Sequence, residues 1–188
     1  DYGKCRAFAL ADHQVAHVYV NDASDLPEVK RVLEATDGVE TVIDQEGKAA
    51  YGIDHERSGD LVVIAKPRAW FTYYYWEDDA LAPDFARCVD IHRKAGYDPA
   101  ELFFDPQLKL PKLRVLKALL KKKLGFRSLM DVIPLNADLV RGSHGRIPED
   151  SKDWPVYISS ATAKSSHSIE AVEVYEKLKS FILDENRS

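Results

Sequence analysis

Residues 24–67 carry the pattern that most narrows the choice of fold. Ser24 or Asp25 can cap a helix with Pro27 in its first turn, and Leu26, Val29 and Leu33 recur three and four apart, so they share one face. Gly38 stops that helix. Two short runs rich in β-branched residues follow, "VETVID" and "GDLVVIAKP", with "DQEGKAAYGIDHERS" between them. Upstream, "CRAFALADHQVAHVYVND" reads as one strand ending in Val18, Tyr19 and Val20 before a turn at Asn21 and Asp22. Strand, helix, strand, strand is an α/β order, and it predicts a small α/β sandwich of ferredoxin-like type. We place this unit at residues 1–85 and a second at 86–188.

The rest of the chain is compatible with a real core. Its 188 residues allow one ordinary domain or two small ones. Hydrophobic residues make up 45% and charged residues 30%, the balance of a folded protein rather than a disordered one. A net charge of -5 argues against a nucleic-acid polymer as partner. No apolar run reaches the ~18 residues of a membrane-spanning helix, and the amino end lacks the pattern of a signal peptide, so no membrane partner is expected. Cys5 and Cys88 form neither a disulfide framework nor a zinc-ligand spacing, which makes a reducing cytoplasm the expected location. The chain starts at Asp1 and contains one methionine, Met130, from which we expect a piece of a longer protein.

Further along, "AWFTYYYW" predicts a strand covered on both faces, with Phe71, Tyr73 and Tyr75 on one side and Trp70, Thr72, Tyr74 and Trp76 on the other. A base-stacking platform is the competing reading. The stretch 78–106 is irregular and punctuated by Pro83, Gly96, Pro99 and Pro106. A basic helix runs from Pro111 to Leu124, with Leu113, Leu116 and Leu120 apolar and Gly125 as its stop. Lys121, Lys122 and Lys123 suit the negative end of the helix dipole better than a membrane surface. The tail predicts a buried strand at "PVYIS", a polar loop, and a last helix capped by Ser166 or Ser168, with Ile169, Val172, Tyr175 (or Glu176) and Leu178 to Leu183 on its apolar stripe.

Three groups could carry chemistry. In "LVRGSHGRIP" one histidine, His144, stands between two glycines, flanked at a small distance by two arginines. Such a loop is either a tight turn or a backbone folded closely about a metal ion, for which neutral imidazole is a good ligand. In "DIHRKAGYDP", His92, Arg93 and Lys94 follow Asp90. They could grip a phosphate, arginine as a bidentate fork and lysine as a point charge, or form a solvated loop. The third group is the pair of dipeptides Asp12-His13 and Asp54-His55, with His17 beyond. On a strand, adjacent side chains point to opposite faces, so Asp12 and His13 are not expected to share an ion there, and these read as polar residues of mixed exposure. No Gly-x-Ser-x-Gly elbow, phosphate-cradling loop or dinucleotide fingerprint occurs, and no catalytic nucleophile is identified.

Three collinear blocks, "HERSGDLVVIAKPRAWFTYYYW", "DIHRKAGYDPAELFFDP" and "VRGSHGRIPED", resemble the carboxyl-terminal part of the type I phosphodiesterase/nucleotide pyrophosphatase family, within the alkaline phosphatase superfamily. The resemblance covers nearly the whole chain. It implies a metal-dependent hydrolase of phosphate esters or phosphonates with two metal ions, usually zinc, and a threonine or serine nucleophile activated by metal. It further implies a ferredoxin-like cap followed by carboxyl-terminal elements of an alkaline-phosphatase-like core. Only His144, in Gly-Ser-His-Gly, matches the family's late metal-binding histidine. Neither Asp12-His13-Gln14 nor Asp54-His55-Glu56 ends in the glycine of the family's Asp-His-Gly motif, which precedes this region.

The resulting expectation is a carboxyl-terminal fragment of such a hydrolase, inactive without the upstream half of the same enzyme. His144 is its metal ligand, and His92, Arg93 and Lys94 contact a small phosphorylated or phosphonate substrate. A non-catalytic α/β module that binds a small ligand or regulates a partner is the alternative. No second histidine lies within turn or helix reach of His144, His167 falls beyond a strand and a loop, and Asp138 and Asp150 are loop carboxylates. His144 is therefore expected on a surface, in a site that holds no zinc in the fragment and binds it more weakly than micromolar, a gain below ~8 kcal/mol.

Overall fold

The computed structural model describes residues 3–89, 103–160 and 168–184. The chain divides into two compact units, 1–149 and 150–188. Among the described residues of the first unit run β1 (Ala7–Asp12), β2 (Val15–Val20), α1 (Leu26–Ala35), β3 (Val39–Ile43), α2 (Gln45–Ala50), β4 (Leu61–Ala65) and α3 (Pro111–Lys123). The second unit contains α4 (Glu173–Asp184).

The four strands form one antiparallel sheet in the order β1-β2-β4-β3. The first predicted strand is thus two. Its sequence folds back at His13 and Gln14, with Asp12 opposite Val15, and the two arms pair over their full length. The polar triplet Asp12-His13-Gln14 between two apolar runs is easily read through as one strand, because no Asn-Gly or Asp-Gly marks the turn. The order is therefore strand, strand, helix, strand, helix, strand. The remaining elements of this region fall where the periodicity puts them. Leu26, Val29 and Leu33 of α1 pack on Ala16, Val18, Val39, Leu61 and Val63 of the sheet.

The sheet's other face carries Ile43 and Val62, both buried. Asp44 caps α2, accepting from the Gly47 N–H at 3.1 Å, and also accepts from Lys30 Nζ at 2.7 Å. Lys48 of this helix is buried, its Nζ donating to the Gly59 carbonyl at 3.0 Å.

Three other expectations change. Residues 70–76 form no strand; the segment is half-buried coil except for exposed Tyr75, with Tyr74 and Trp76 stacked at 4.8 Å. Its Phe71 N–H donates to the His13 carbonyl at 2.6 Å, a bond to the hairpin turn instead of to a strand. On α3, Leu113, Leu116 and Leu120 are exposed, and the residue the helix buries is Ala118. In the second unit, residues 155–160 form no strand, and Val156 and Ile158 are 81% and 88% exposed.

Candidate metal centre

The β1–β2 turn is where the sheet gains chemistry. Its first position, His13, has φ of 58°, the left-handed geometry that tight hairpins require there and that glycine usually supplies. An imidazole at such a position costs roughly 1–3 kcal/mol of backbone strain, and the surroundings hold it there. Phe71 binds the His13 carbonyl, as above. Gln14, buried, binds on three sides. Its N–H donates to the His144 carbonyl at 2.9 Å, its carbonyl accepts from Ala65 N–H at 2.9 Å, and its Nε2 donates to the Ala69 carbonyl at 3.1 Å.

The loop 142–149 lies against this turn. Gly145 has φ of 112°, and a Cβ there would sit 2.9 Å from Val15 Cγ2 and 3.3 Å from the Val15 nitrogen. Glycine is needed at 145 for both reasons, whereas a Cβ at Gly142 would meet nothing within 4 Å. Arg146 anchors the loop from the other side. Its Nη2 donates to Glu40 Oε1 at 2.7 Å and to Glu149 Oε1 at 2.8 Å, and its Nε donates to Glu40 Oε2. Glu40 falls between Val39 and Thr41, where the β3–β4 register shifts, and such a bulge re-aims a side chain. Beside this clamp, Val15, His17, Glu40, Tyr51, Arg146 and Glu149 help line a cleft of about 330 Å³.

These contacts bring His144 to His13, with ring centroids 4.1 Å apart. Ser143 Oγ lies 3.0 Å from His13 Nδ1, and the Trp70 ring is 6.4 Å away. Asp12, His13 and His144 can each point one ligand atom so that all lie within 4.8 Å of one another. Burial pushes the His13 imidazole below its ordinary pKa, His144 adds to that, and Asp12 opposes it. Two imidazoles and a carboxylate are the donor chemistry of a zinc-class ion, and three protein ligands leave a fourth position open. The residues present therefore fit one such ion.

The grouping corrects the reading of Asp12 and His13 as strand residues facing opposite ways, and of His144 as lacking a second imidazole. His13 sits on a turn, so the alternation rule does not apply to it, and its partner comes from the far end of the unit. His144 is exposed, as expected. His17 is not part of the group; its Nδ1 accepts from Gly59 N–H at 3.1 Å. His55 Nδ1 accepts from Arg57 N–H at 3.1 Å within its own turn. Asp138 and Asp150 are exposed. His92, Arg93, Lys94 and His167 lie outside the described residues. The roles of Gln14, Arg146 and Glu40 escaped the sequence reading; the paired glycines about His144, Gly142 and Gly145, were the signal pointing to this loop.

The sequence model of the type I phosphodiesterase / nucleotide pyrophosphatase family matches residues 2–98, just over half of the chain. The match includes Asp12 and His13 and ends before His144. No curated protein and no solved structure matches the chain. Among the described residues, no helix is long and apolar enough to cross a membrane.

Proposed function

Since the chain belongs to the type I phosphodiesterase / nucleotide pyrophosphatase family, we propose that it forms part of a metal-dependent hydrolase acting on small phosphate esters or phosphonates. In this reading His144 is a ligand of a zinc-class ion, and the convergence of Asp12, His13 and His144 is the observation that carries it. The ion, when bound, supplies Lewis-acid stabilisation of charge on a phosphoryl oxygen. This chain's contribution is to present the imidazole. Gln14 N–H holds the His144 carbonyl, Gly145 lets the loop approach Val15, and Arg146 ties the loop to Glu40. His92, Arg93 and Lys94 contact the anionic substrate. The nucleophile, the remaining ligands and any second zinc site belong to an upstream half of the same enzyme. Residues 1–85 act as a ferredoxin-like cap, and 86–188 return to an alkaline-phosphatase-like core. A reducing, cytoplasmic setting is part of this reading, two cysteines being too few for a disulfide framework.

The test is hydrolysis of a chromogenic phosphodiester by a protein that includes the upstream region. His144→Ala should lower kcat/KM by at least about a hundredfold, a loss of roughly 2.7 kcal/mol in transition-state stabilisation. Equal rates in variant and parent would end the reading. The cleft beside Arg146 favours a second reading, a module that binds a small ligand without chemistry. It predicts nucleotide binding by this chain alone, lost on Arg146→Ala and insensitive to chelators.

A further inference from the structure

We infer that α3 docks by its leucine face onto an anionic lipid surface, lying in the plane of the membrane and not crossing it. The inference goes beyond the hydrolase reading and uses none of its residues.

The helix turns its larger apolar face away from the protein. Pro111, Val115 and Ala118, spaced four and three, are half-buried or buried and mark the side that packs on the rest of the unit. Leu113, Leu116, Leu120 and Leu124 recur at three and four and are 57%, 52%, 52% and 72% exposed. At about 3.6 residues per turn they fall on the side opposite the buried one. Leu110 before the helix and Phe126 after it are exposed as well, so the apolar strip continues past both ends. A strip of this kind facing water marks a docking surface.

The charges say what it docks on. From residue 106 to 130 the chain has no carboxylate, although its net charge is -5, and it has six lysines there: Lys109, Lys112, Lys117, Lys121, Lys122 and Lys123. Among the described residues the ion pairs of this stretch belong to its two arginines, Arg114 with Asp131 and Arg127 with Asp84, and none to the six lysines. Helical spacing sets Lys112 and Lys123 along one border of the leucine strip, and Lys117 and Lys121 along the other. Their stems can lie on the strip's margins while the ammonium groups stay at the level of lipid headgroups. Read alone, Lys121, Lys122 and Lys123 serve the helix dipole; the exposed leucines give them, with the other three, this second use.

A protein groove is the weaker occupant. Protein interfaces favour arginine and are depleted in lysine, whereas here the arginines are engaged within the chain and the lysines face outward. A second copy of the helix would set like charges against each other. With 13 residues, α3 is too short to span a bilayer, which leaves the interface.

The experiment is flotation of the 188-residue chain with large unilamellar vesicles, of phosphatidylcholine alone or with about one third phosphatidylserine. We expect at least about tenfold tighter binding to the anionic vesicles, weakening as salt rises. A chain carrying Leu116→Ser and Leu120→Ser should bind them at least about tenfold more weakly, and so should one carrying Lys121→Gln, Lys122→Gln and Lys123→Gln. Leu81→Ser, 77% exposed outside α3, should leave binding unchanged. Should the leucine variant not fold, amide hydrogen exchange of the unmodified chain decides: anionic vesicles must protect α3 and leave α1 as it was. No flotation, or equal flotation with neutral vesicles, overturns the inference. Loss in the lysine variant but not in the leucine variant overturns it too, since charge alone would then hold the chain. Binding to an acidic groove protein such as calmodulin, without binding to vesicles, overturns it in favour of a protein partner.

Discussion

Arg146 closes on Glu40 at the bulge of β3, spanning the carboxylate with Nε and Nη2. The Arg146 hydrogen bond holds the Glu40 carboxyl below the usual glutamate range, burial opposing it and the charge of Arg146 adding to it. A depressed folded pKa contributes stability that is present above the unfolded value and lost as the pH falls through the folded one. Glu40→Gln should therefore lower the Tm at neutral pH, and the gap between variant and parent should close in acid. A gap that stays constant across the carboxylate range would show that the pair does not stabilise the loop.

Gly145→Ala should destabilise the chain by about 1–3 kcal/mol in chemical denaturation, since the new Cβ meets Val15 at 2.9 Å on a backbone with φ of 112°. Gly142→Ala, which meets nothing within 4 Å, serves as its comparison and should change stability far less. Equal effects at the two glycines would mean that the loop does not seat on the hairpin.

Lys48→Met should cost about 1.5–3 kcal/mol, because the Gly59 carbonyl loses a charged donor while the buried stem is kept. Lys48→Ala, which also removes the stem, should cost more. Urea melts of the two variants order them, and the reverse order would mean that the stem of Lys48 adds nothing to the packing.

Leu61→Ala should cost about 2–5 kcal/mol, as Leu61 is fully buried at the sheet's centre. Leu120→Ala on α3, half exposed, should stay within about 0.5 kcal/mol. Comparable losses at both positions, measured by calorimetry, would mean that the leucine face of α3 is covered in solution.

Much of the α/β pattern was legible in the sequence because local signals suffice for it. Pro27 and the spacing of Leu26, Val29 and Leu33 mark α1, and β-branched runs mark β3 and β4. The hairpin was not legible, since His13 and Gln14 carry no turn signature and positive φ at a histidine is set by what surrounds it. The aromatic run failed as a strand for a related reason. Alternation describes which faces a segment could present, but a strand exists only where a neighbour's backbone is there to pair with. For the candidate site, His144 could be singled out from its flanking glycines. Its partners could not, because Asp12 and His13 are brought to it by contacts such as those of Gln14 and of Arg146 with the bulged Glu40, which no sequence period encodes.

The pairing of His13 with Ser143 joins positions 130 apart. Closing a loop of that length costs roughly 4 kcal/mol of chain entropy before either side chain gains anything. A hairpin such as β1–β2, by contrast, closes within about 1–10 μs. The two halves of the grouping therefore mature on different clocks: Asp12 and His13 are in register as soon as the hairpin zips, and His144 arrives only when the unit is otherwise folded. The loop that carries His144 docks last, as a report that folding of the unit is complete rather than as its nucleus.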